Sequence, residues 1–202
     1  MDKKEIAIKL SKLNDFAELN INLEQYKTDS EIASELLWVA YQNGDIKGKT
    51  IADLGCGNGI LGMGALLLDA SFVYFLDIDK NALDVCKDNL DSFYKGKNYE
   101  LILGDVPAFN KKIDTVIMNP PFGVQKRKAD KVFLEAAMEN SNKTYSIHKI
   151  ESKKFIQSLC NDHGFSVDNI MERKFILRKT YGFHKKNKYN FDIGIWILNK
   201  NF

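Results

Sequence analysis

The residues best suited to chemistry in this sequence are Asn119, Pro120, Pro121 and Phe122, which follow the apolar run Thr115–Met118. A short apolar run of this kind predicts a buried strand. Prolines lack a backbone N–H, have a fixed φ, and disfavour a helical conformation in the residue before them. The turn therefore presents carbonyl oxygens, one amide side chain and one aromatic ring. Such groups suit a planar ligand with an amine at its edge, such as a nucleobase.

A glycine-rich turn follows another apolar run, with the pattern Asp53-x-Gly55-x-Gly57-x-Gly59. Glycines allow positive φ and a close approach to a ligand, and the amide groups at the start of the next helix face the same ligand. The G-x-G-x-x-G pattern of dinucleotide sites would need glycine where this chain has Ile60, so a nicotinamide oxidoreductase is a weaker alternative. A carboxylate before the turn repels a pyrophosphate but accepts from an ammonium group. The turn therefore favours S-adenosylmethionine.

Two further carboxylates follow apolar runs at places that fit the same cofactor. Asp77 ends the run Phe72–Leu76, about 20 residues after the glycine-rich turn, where an acid is placed to bind ribose hydroxyls. Its neighbour Ile78 is expected to cover one face of the adenine. Asp105 follows the run Leu101–Leu103 and is placed to accept a hydrogen bond from the adenine amine.

Alternating strand-like and helix-like segments are expected to position these groups. Strands are expected near residues 50–54, 72–77, 99–103, 113–118 and 144–148, and helices near 1–20, 30–42, 60–69, 80–92, 129–139 and 149–163. Two final strand-like runs, 171–178 and 190–199, predict an antiparallel hairpin. The pattern predicts an α/β, Rossmann-like fold with a mostly parallel seven-stranded sheet and helices on both faces. A sheet that ends in such a hairpin is typical of class I methyltransferases.

The composition predicts a soluble globular protein of one domain. With 202 residues, the chain is expected to form an N-terminal helical and lid segment, 1–45, and a catalytic core, 46–202. No stretch approaches the roughly 18 apolar residues of a membrane helix, and the charged N-terminus does not resemble a signal peptide. The three cysteines and three histidines do not cluster, so neither a disulfide framework nor a metal site is expected. A reducing, cytoplasmic location is expected.

The charge is unevenly distributed along the chain. Residues 1–125 contain 13 Lys and Arg and 19 Asp and Glu, a net charge of −6, whereas residues 126–202 contain 16 and 8, a net charge of +8. One basic cluster, Lys126, Arg127 and Lys128, begins shortly after the Asn-Pro-Pro-Phe motif. Clustered basic residues give sequence-independent affinity for phosphates, so the C-terminal part is expected to contact nucleic acid.

The chain resembles class I amino-methyltransferases with an Asn/Asp-Pro-Pro-aromatic motif. More closely, it resembles the methyltransferase-like family that modifies N6 of an adenosine in small-subunit ribosomal RNA. The similarity spans roughly residues 20–198 and includes the segments Leu23–Thr28, Tyr145–Lys149 and Tyr181–Lys186. Asn-Pro-Pro-Phe also occurs in guanine-N2 RNA methyltransferases and in glutamine methyltransferases that act on release factors, which remain alternatives. From another class, the chain could be a non-catalytic RNA-binding subunit.

The resemblance implies methyl transfer from S-adenosylmethionine to adenosine N6 in RNA. Asn119 and Pro120 would accept hydrogen bonds from the target amine, Phe122 would stack on the base, and Asn119 would also adjoin the cofactor. A lid over the cofactor would contain Gln25, Tyr26 and Thr28. Contacts to the RNA would include His148, Lys149, Lys185 and Lys186. Related enzymes also bind a small zinc-binding activator subunit, which here would add a strand along Asn98–Gly104.

Overall fold

The computed structural model describes residues 1–15, 28–121, 129–178 and 188–201. The strands are β1 (Thr50–Leu54), β2 (Phe72–Asp77), β3 (Tyr99–Leu103), β4 (Thr115–Met118), β5 (Lys143–Lys149), β6 (Phe165–Arg178) and β7 (Lys188–Lys200). The helices are α1 (Lys3–Leu10), α2 (Ser30–Gln42), α3 (Ile60–Leu67), α4 (Lys80–Phe93), α5 (Ala129–Asn140) and α6 (Lys153–Asp162). Of the helices within these residues, none is long and apolar enough to cross a membrane.

Seven strands form one sheet in the order β3-β2-β1-β4-β5-β7-β6. The pairs among β1 to β5 are parallel, whereas β7 is antiparallel to both β5 and β6. This confirms the predicted mostly parallel sheet with a C-terminal antiparallel hairpin. It also places β3 at an edge of the sheet, as expected for this fold.

Apolar side chains on alternate strand positions bury both faces of the sheet. One face packs against α1 to α4 through residues such as Ile51, Phe75 and Ile117. The other face packs against α5 and α6 through residues such as Leu54 and Val116. Because parallel strands are covered by helices on both sides, their sequences are almost continuously apolar. The predicted placement of helices on both faces is confirmed.

The first helix is shorter than the predicted helix over residues 1–20. It ends at Leu10, with Ser11 as its C-cap, and the described chain continues as a turn. The turn still buries Leu13, which is 7% exposed. Beyond it, the backbone N–H of Asn14 donates to Asn89 Oδ1 on α4 at 2.8 Å. This tertiary contact turns the chain toward α4, and apolar spacing alone could not predict it.

The C-terminal hairpin is longer than predicted and projects beyond the sheet. β7 pairs with β5 only from Ile193 to Asn199. The next five pairs, from Lys174–Asp192 to Arg178–Lys188, join β6 and β7 alone. At about 3.4 Å per residue, this extension spans about 17 Å. Since β7 is antiparallel to β5, the hairpin projects from the end of the sheet at which the parallel strands have their carboxyl ends.

Gly62 and Gly64 weaken the helix propensity of α3, and the packing of that helix explains their presence. A Cβ at Gly62 would lie 2.2 Å from Phe75 Cε1 on β2. A Cβ at Gly64 would lie 2.2 Å from Leu37 Cδ1 on α2. Each glycine costs about 1 kcal/mol of helix stability relative to alanine. In return, the absence of side chains at the two glycines allows α3 to lie close against both the sheet and α2.

We expect Gly62→Ala to lower the free energy of unfolding by about 1–2 kcal/mol, because the overlap with the buried Phe75 ring exceeds the gain in helix propensity. Urea unfolding measures the change. Gly104→Ala is the matched control, since a Cβ there would have only ordinary contacts, the nearest at 3.6 Å. A Gly62→Ala protein as stable as the unsubstituted chain would contradict this account of the packing.

Candidate active site

The predicted cofactor and target groups meet at the carboxyl ends of three neighbouring strands. The glycine-rich turn follows β1, Asp77 ends β2, and Asn119 follows β4. In the sheet, Leu54 of β1 pairs with Leu76 of β2 on one side and with Met118 of β4 on the other. The three groups are therefore side by side, although the sequence separates them by tens of residues.

The glycine-rich turn has a backbone conformation that favours glycine at each predicted position. The φ angles are +69° at Gly55, +56° at Gly57 and +82° at Gly59, a region that side chains disfavour. Space is also short, since a Cβ at Gly55 would lie 2.8 Å from Phe133 and one at Gly59 would lie 2.5 Å from Cys86 Sγ. The turn can therefore approach a ligand with backbone alone.

Asp77 joins the end of β2 to the glycine-rich turn. Its Oδ2 accepts from the Gly57 N–H at 2.9 Å, and its Oδ1 accepts from the Asp79 N–H at 2.9 Å. The residue is 8% exposed, and burial raises the pKa of its carboxyl group. Two backbone donors thus orient this carboxylate at the place predicted for ribose recognition. The ribose contact itself stays a prediction.

Asp53 is buried beneath the turn and holds the start of α3. Its Oδ2 accepts from the Gly62 N–H at 2.7 Å, and the residue is 1% exposed. Burial raises the pKa of Asp53 to about 7, against the Gly62 hydrogen bond, and the nearby Asp77 charge raises it further. In the structure, Asp53 therefore ties β1 to α3. Its predicted contact with an ammonium group stays a prediction.

Ile78 and Asp105 lie at the same end of the sheet, where the adenine is predicted. Ile78 is 54% exposed, unlike most large apolar side chains of this fold. Asp105 is exposed and caps a 3-10 helix, Val106–Ala108, by accepting from the Val106 N–H at 2.8 Å. An exposed aliphatic face and a carboxylate on a neighbouring loop suit the face and the edge of a purine.

The Asn-Pro-Pro corner lies directly after β4. Asn119 Nδ2 donates to Thr28 Oγ1 at 2.9 Å, while Pro120 is buried and Pro121 half-buried. Thr28 is one of the residues predicted for the cofactor lid, and the structure places it against the predicted catalytic amide. The remaining member of the motif, Phe122, and the other lid residues, Gln25 and Tyr26, lie outside the described residues.

One predicted nucleic-acid contact is wrong. His148 is 1% exposed, and its Nε2 lies 2.7 Å from Ser146 Oγ. Burial lowers the pKa of His148 to about 3, so the ring is neutral in the core. The reason is strand alternation: His148 lies on the same face of β5 as Ser146, beside Trp196. Its neighbour Lys149, at the end of β5, is half-buried. The other predicted contacts, Lys126, Arg127, Lys128, Lys185 and Lys186, lie outside the described residues.

An asparagine network beside the glycine-rich turn was missed by the sequence analysis. Asn89 Nδ2 donates to the Asn58 carbonyl at 2.9 Å and to the Asn14 carbonyl at 3.1 Å. Asn58 Nδ2 donates to the same Asn14 carbonyl at 3.2 Å. Asn89 is fully buried, and the network connects the N-terminal turn, α4 and the glycine-rich turn. Nothing marks Asn89 as buried in the sequence, because asparagine in a helix is usually exposed.

The site fits S-adenosylmethionine on its own chemistry. A backbone cradle of three positive-φ glycines, an oriented carboxylate at the end of β2 and an exposed apolar side chain beside it match the three parts of that cofactor. Together with the sheet order, this arrangement defines a class I S-adenosylmethionine-dependent methyltransferase.

Comparison with known proteins identifies the family. The methyltransferase small domain family matches residues 26–170. The rRNA N6-adenosine-methyltransferase METTL5 of Danio rerio is 37% identical over 96% of this chain and 96% of its own length. Mettl5 of Drosophila melanogaster is 31% identical over 93% and 91%. A crystal structure of a candidate RNA methyltransferase from Pyrococcus horikoshii is 44% identical, covers 100% of this chain and 99% of its own, and has a TM-score of 0.92. The chain belongs to the methyltransferase small domain family and, within it, to the METTL5-like proteins.

We expect Asp53→Asn to remove a pH dependence of stability. The folded chain keeps a proton on Asp53 up to pH of about 7, whereas the unfolded chain loses it near pH 4. The contribution of Asp53 to stability therefore falls as pH rises through this window, and the variant gains stability relative to wild type by at most about 1.4 kcal/mol per pH unit. Urea unfolding of the ligand-free protein at several pH values measures the difference.

The matched control is Asp168→Asn, because Asp168 is an exposed carboxyl on β6. The stability of Asp168→Asn relative to wild type should not show the pH dependence expected for Asp53→Asn. Parallel pH profiles for wild type and Asp53→Asn would show that Asp53 titrates in the folded chain as it does in the unfolded one.

Proposed function

We propose that this protein methylates the N6 amine of an unpaired or flipped adenosine in small-subunit ribosomal RNA. The observation on which the proposal depends is the position of the Asn119 amide, at the end of β4 and directly beside the glycine-rich turn that follows β1. This position brings an amine acceptor next to the predicted cofactor site. The METTL5 relatives, which are described as rRNA N6-adenosine methyltransferases, support the choice of base.

S-adenosylmethionine, when bound, supplies an electrophilic methyl group on its sulfonium. The lone pair of the adenine amine is delocalised into the ring, so the amine is a weak nucleophile. Asn119 Oδ1 and the Pro120 carbonyl accept hydrogen bonds from its two N–H groups, which favours a more tetrahedral nitrogen and stabilises the developing positive charge. No strong base is needed, because the proton leaves after transfer. Phe122 stacks on a base that has left its helix.

The buried acids of the site prepare it for a cationic ligand. Burial raises the pKa of both Asp53 and Asp77, and that of Asp53 reaches about 7. A bound cation favours ionisation of both groups. The carboxyl oxygens that accept from backbone N–H groups are already oriented, so they need little rearrangement when the cation binds.

The extended β6–β7 hairpin is the described element best placed to meet RNA. It projects about 17 Å past the carboxyl ends of the parallel strands and includes Lys174, Arg178 and Lys188. Arg173 has a different role, since its Nε donates to Glu35 Oε2 at 2.8 Å and its Nη2 also pairs with Glu35. This ion pair joins β6 to α2. Lys185 and Lys186 belong to the segment that joins β6 and β7.

Asn119→Ala should lower methyl transfer to RNA by roughly 100-fold or more, the usual loss when one preorganised polar contact to a transition state is removed. Cofactor affinity should fall much less, because Asn119 is only one of the residues predicted to adjoin the cofactor. The assay uses labelled S-adenosylmethionine and total RNA. The label measures the amount of transfer, nucleoside analysis identifies the methylated base, and separation of the ribosomal subunits identifies the target RNA.

The matched control is Asn110→Ala, an exposed asparagine between Val106–Ala108 and β4. Wild type and control should yield N6-methyladenosine in small-subunit RNA. N2-methylguanosine, or label in a protein glutamine, would instead assign one of the two alternative substrates.

We also propose that a small zinc-binding activator subunit adds a strand along Asn98–Gly104. Leu103 of the edge strand β3 is 59% exposed, and Leu101 and Ile102 are half-buried. Apolar edge strands promote aggregation unless they are paired or covered. Among the described residues no strand pairs with the outer side of β3. A strand from a partner would satisfy its outward backbone groups and cover Leu103.

Leu103→Asp should abolish co-purification of such a subunit from the native cells, because it places a charge in the proposed interface. Ile8→Asp is the matched control, since Ile8 is an apolar residue of similar exposure, 48%, that lies on α1 and not on a strand of the sheet. Mass spectrometry and zinc analysis of the purified complexes measure the outcome. A wild-type chain that methylates RNA at full rate without any zinc-containing partner would refute the proposal.

A further inference from the structure

The orientation of the Asn119 amide decides whether the corner can work. The nitrogen and oxygen of a carboxamide have nearly the same shape, but one donates hydrogen bonds and the other accepts them. A target amine needs an acceptor. With Nδ2 toward the base, the amide hydrogens of Asn119 would face the hydrogens of the target amine. The two prolines fix the backbone of the corner, but they do not fix the orientation of the amide, because the amide rotates about its own side-chain bonds.

In the structure, the Thr28 hydroxyl is a direct partner of this amide. Asn119 Nδ2 donates to Thr28 Oγ1 at 2.9 Å. Because the amide nitrogen and oxygen branch from the same carbon, Oδ1 points in a different direction from the Nδ2–Thr28 contact. The two residues are separated by 91 positions in the sequence.

Thr28 is attached to a rigid element. The next residue, Asp29, is the N-cap of α2 and accepts from the Glu31 N–H at 2.9 Å and from the Ile32 N–H at 3.3 Å. Further along α2, Leu36 and Leu37 are fully buried. The hydroxyl is therefore held by a capped helix that is anchored in the core, which is what a positioning group needs.

We propose that Thr28 is a positioning residue for methyl transfer, whose hydroxyl accepts from Asn119 Nδ2 and so directs Oδ1 toward the target amine. The inference rests on the proposed function, and it differs from the role in a cofactor lid that the family resemblance implies for Thr28. A hydroxyl can also donate. The rival arrangement, in which Thr28 donates to Asn119 Oδ1, would turn the amide the wrong way for an amine.

The kinetic test compares Thr28→Val with Thr28→Ser at saturating cofactor and RNA. Thr28→Val keeps the shape but has no hydroxyl, and we expect it to lower the rate of methyl transfer roughly tenfold, the loss that one hydrogen bond of ordinary strength predicts. Thr28→Ser should retain transfer within about twofold of wild type, since it keeps the hydroxyl. Cofactor affinity should be the same in all three proteins. A Thr28→Val protein with weaker cofactor binding and an unchanged maximal rate would overturn the proposal.

A second measurement does not depend on the RNA substrate. In a protein labelled with ¹⁵N-asparagine, the side-chain amide signal that Asn119→Ala removes belongs to Asn119. Exchange of one of its hydrogens with water should be slow in wild type and in Thr28→Ser, and faster in Thr28→Val. Equal exchange in wild type and Thr28→Val would show that Thr28 does not accept from Nδ2, and the proposal would be wrong.

A substituted background separates orientation from general support of the site. Asn119→Asp has two equivalent acceptor oxygens, so in that background Thr28→Val should cause no further loss of transfer. The same tenfold loss in both backgrounds would assign Thr28 a merely structural role. If wild type methylates no RNA, the proposed function fails, and the exchange of the Asn119 amide alone decides whether Thr28 orients it.

Discussion

The parallel pairing of β1 with β4 is the contact on which the site depends. The chain builds β1, β2 and β3 in one direction across the sheet and then returns to the other side of β1 to build β4. Such a reversal leaves a crevice at the carboxyl ends of the two strands, where α/β proteins bind their ligands. The glycine-rich turn leaves one of these strands, and the Asn-Pro-Pro corner leaves the other. Cofactor and target groups are thereby brought together without any flexible connection.

Backbone hydrogen bonds stiffen this crevice. Asp77 accepts from the backbone of Gly57 and Asp79, and Asp53 accepts from the backbone of Gly62 in the first turn of α3, so backbone donors hold both side chains. The close packing of α3 permits the second contact, because a larger residue at Gly62 would overlap Phe75. Stability and function are therefore linked. The same glycines that weaken the helix bring its first turn onto a buried acid.

Charge is divided between the two halves of the chain in a way that matches the proposed ligands. The N-terminal 125 residues have a net charge of −6 and contain the predicted cofactor groups, whereas the remainder has a net charge of +8 and contains the projecting hairpin. Not every basic residue serves the same purpose, since Arg173 pairs with Glu35 and joins the hairpin to α2.

Local patterns were enough to predict the seven strands, their mostly parallel arrangement, the glycine-rich turn and the Asn-Pro-Pro corner. These predictions rest on the alternation of apolar runs, the left-handed φ of glycine and the fixed φ of proline. All three act within a few residues, so a single sequence is enough to detect them. The early end of α1, the burial of His148 and the asparagine network depended instead on contacts across the fold. So did the contact of Thr28 with Asn119, across 91 positions. Which side of an amide faces the base is decided by a neighbour that only folding supplies, because no local pattern encodes a hydrogen bond between distant side chains.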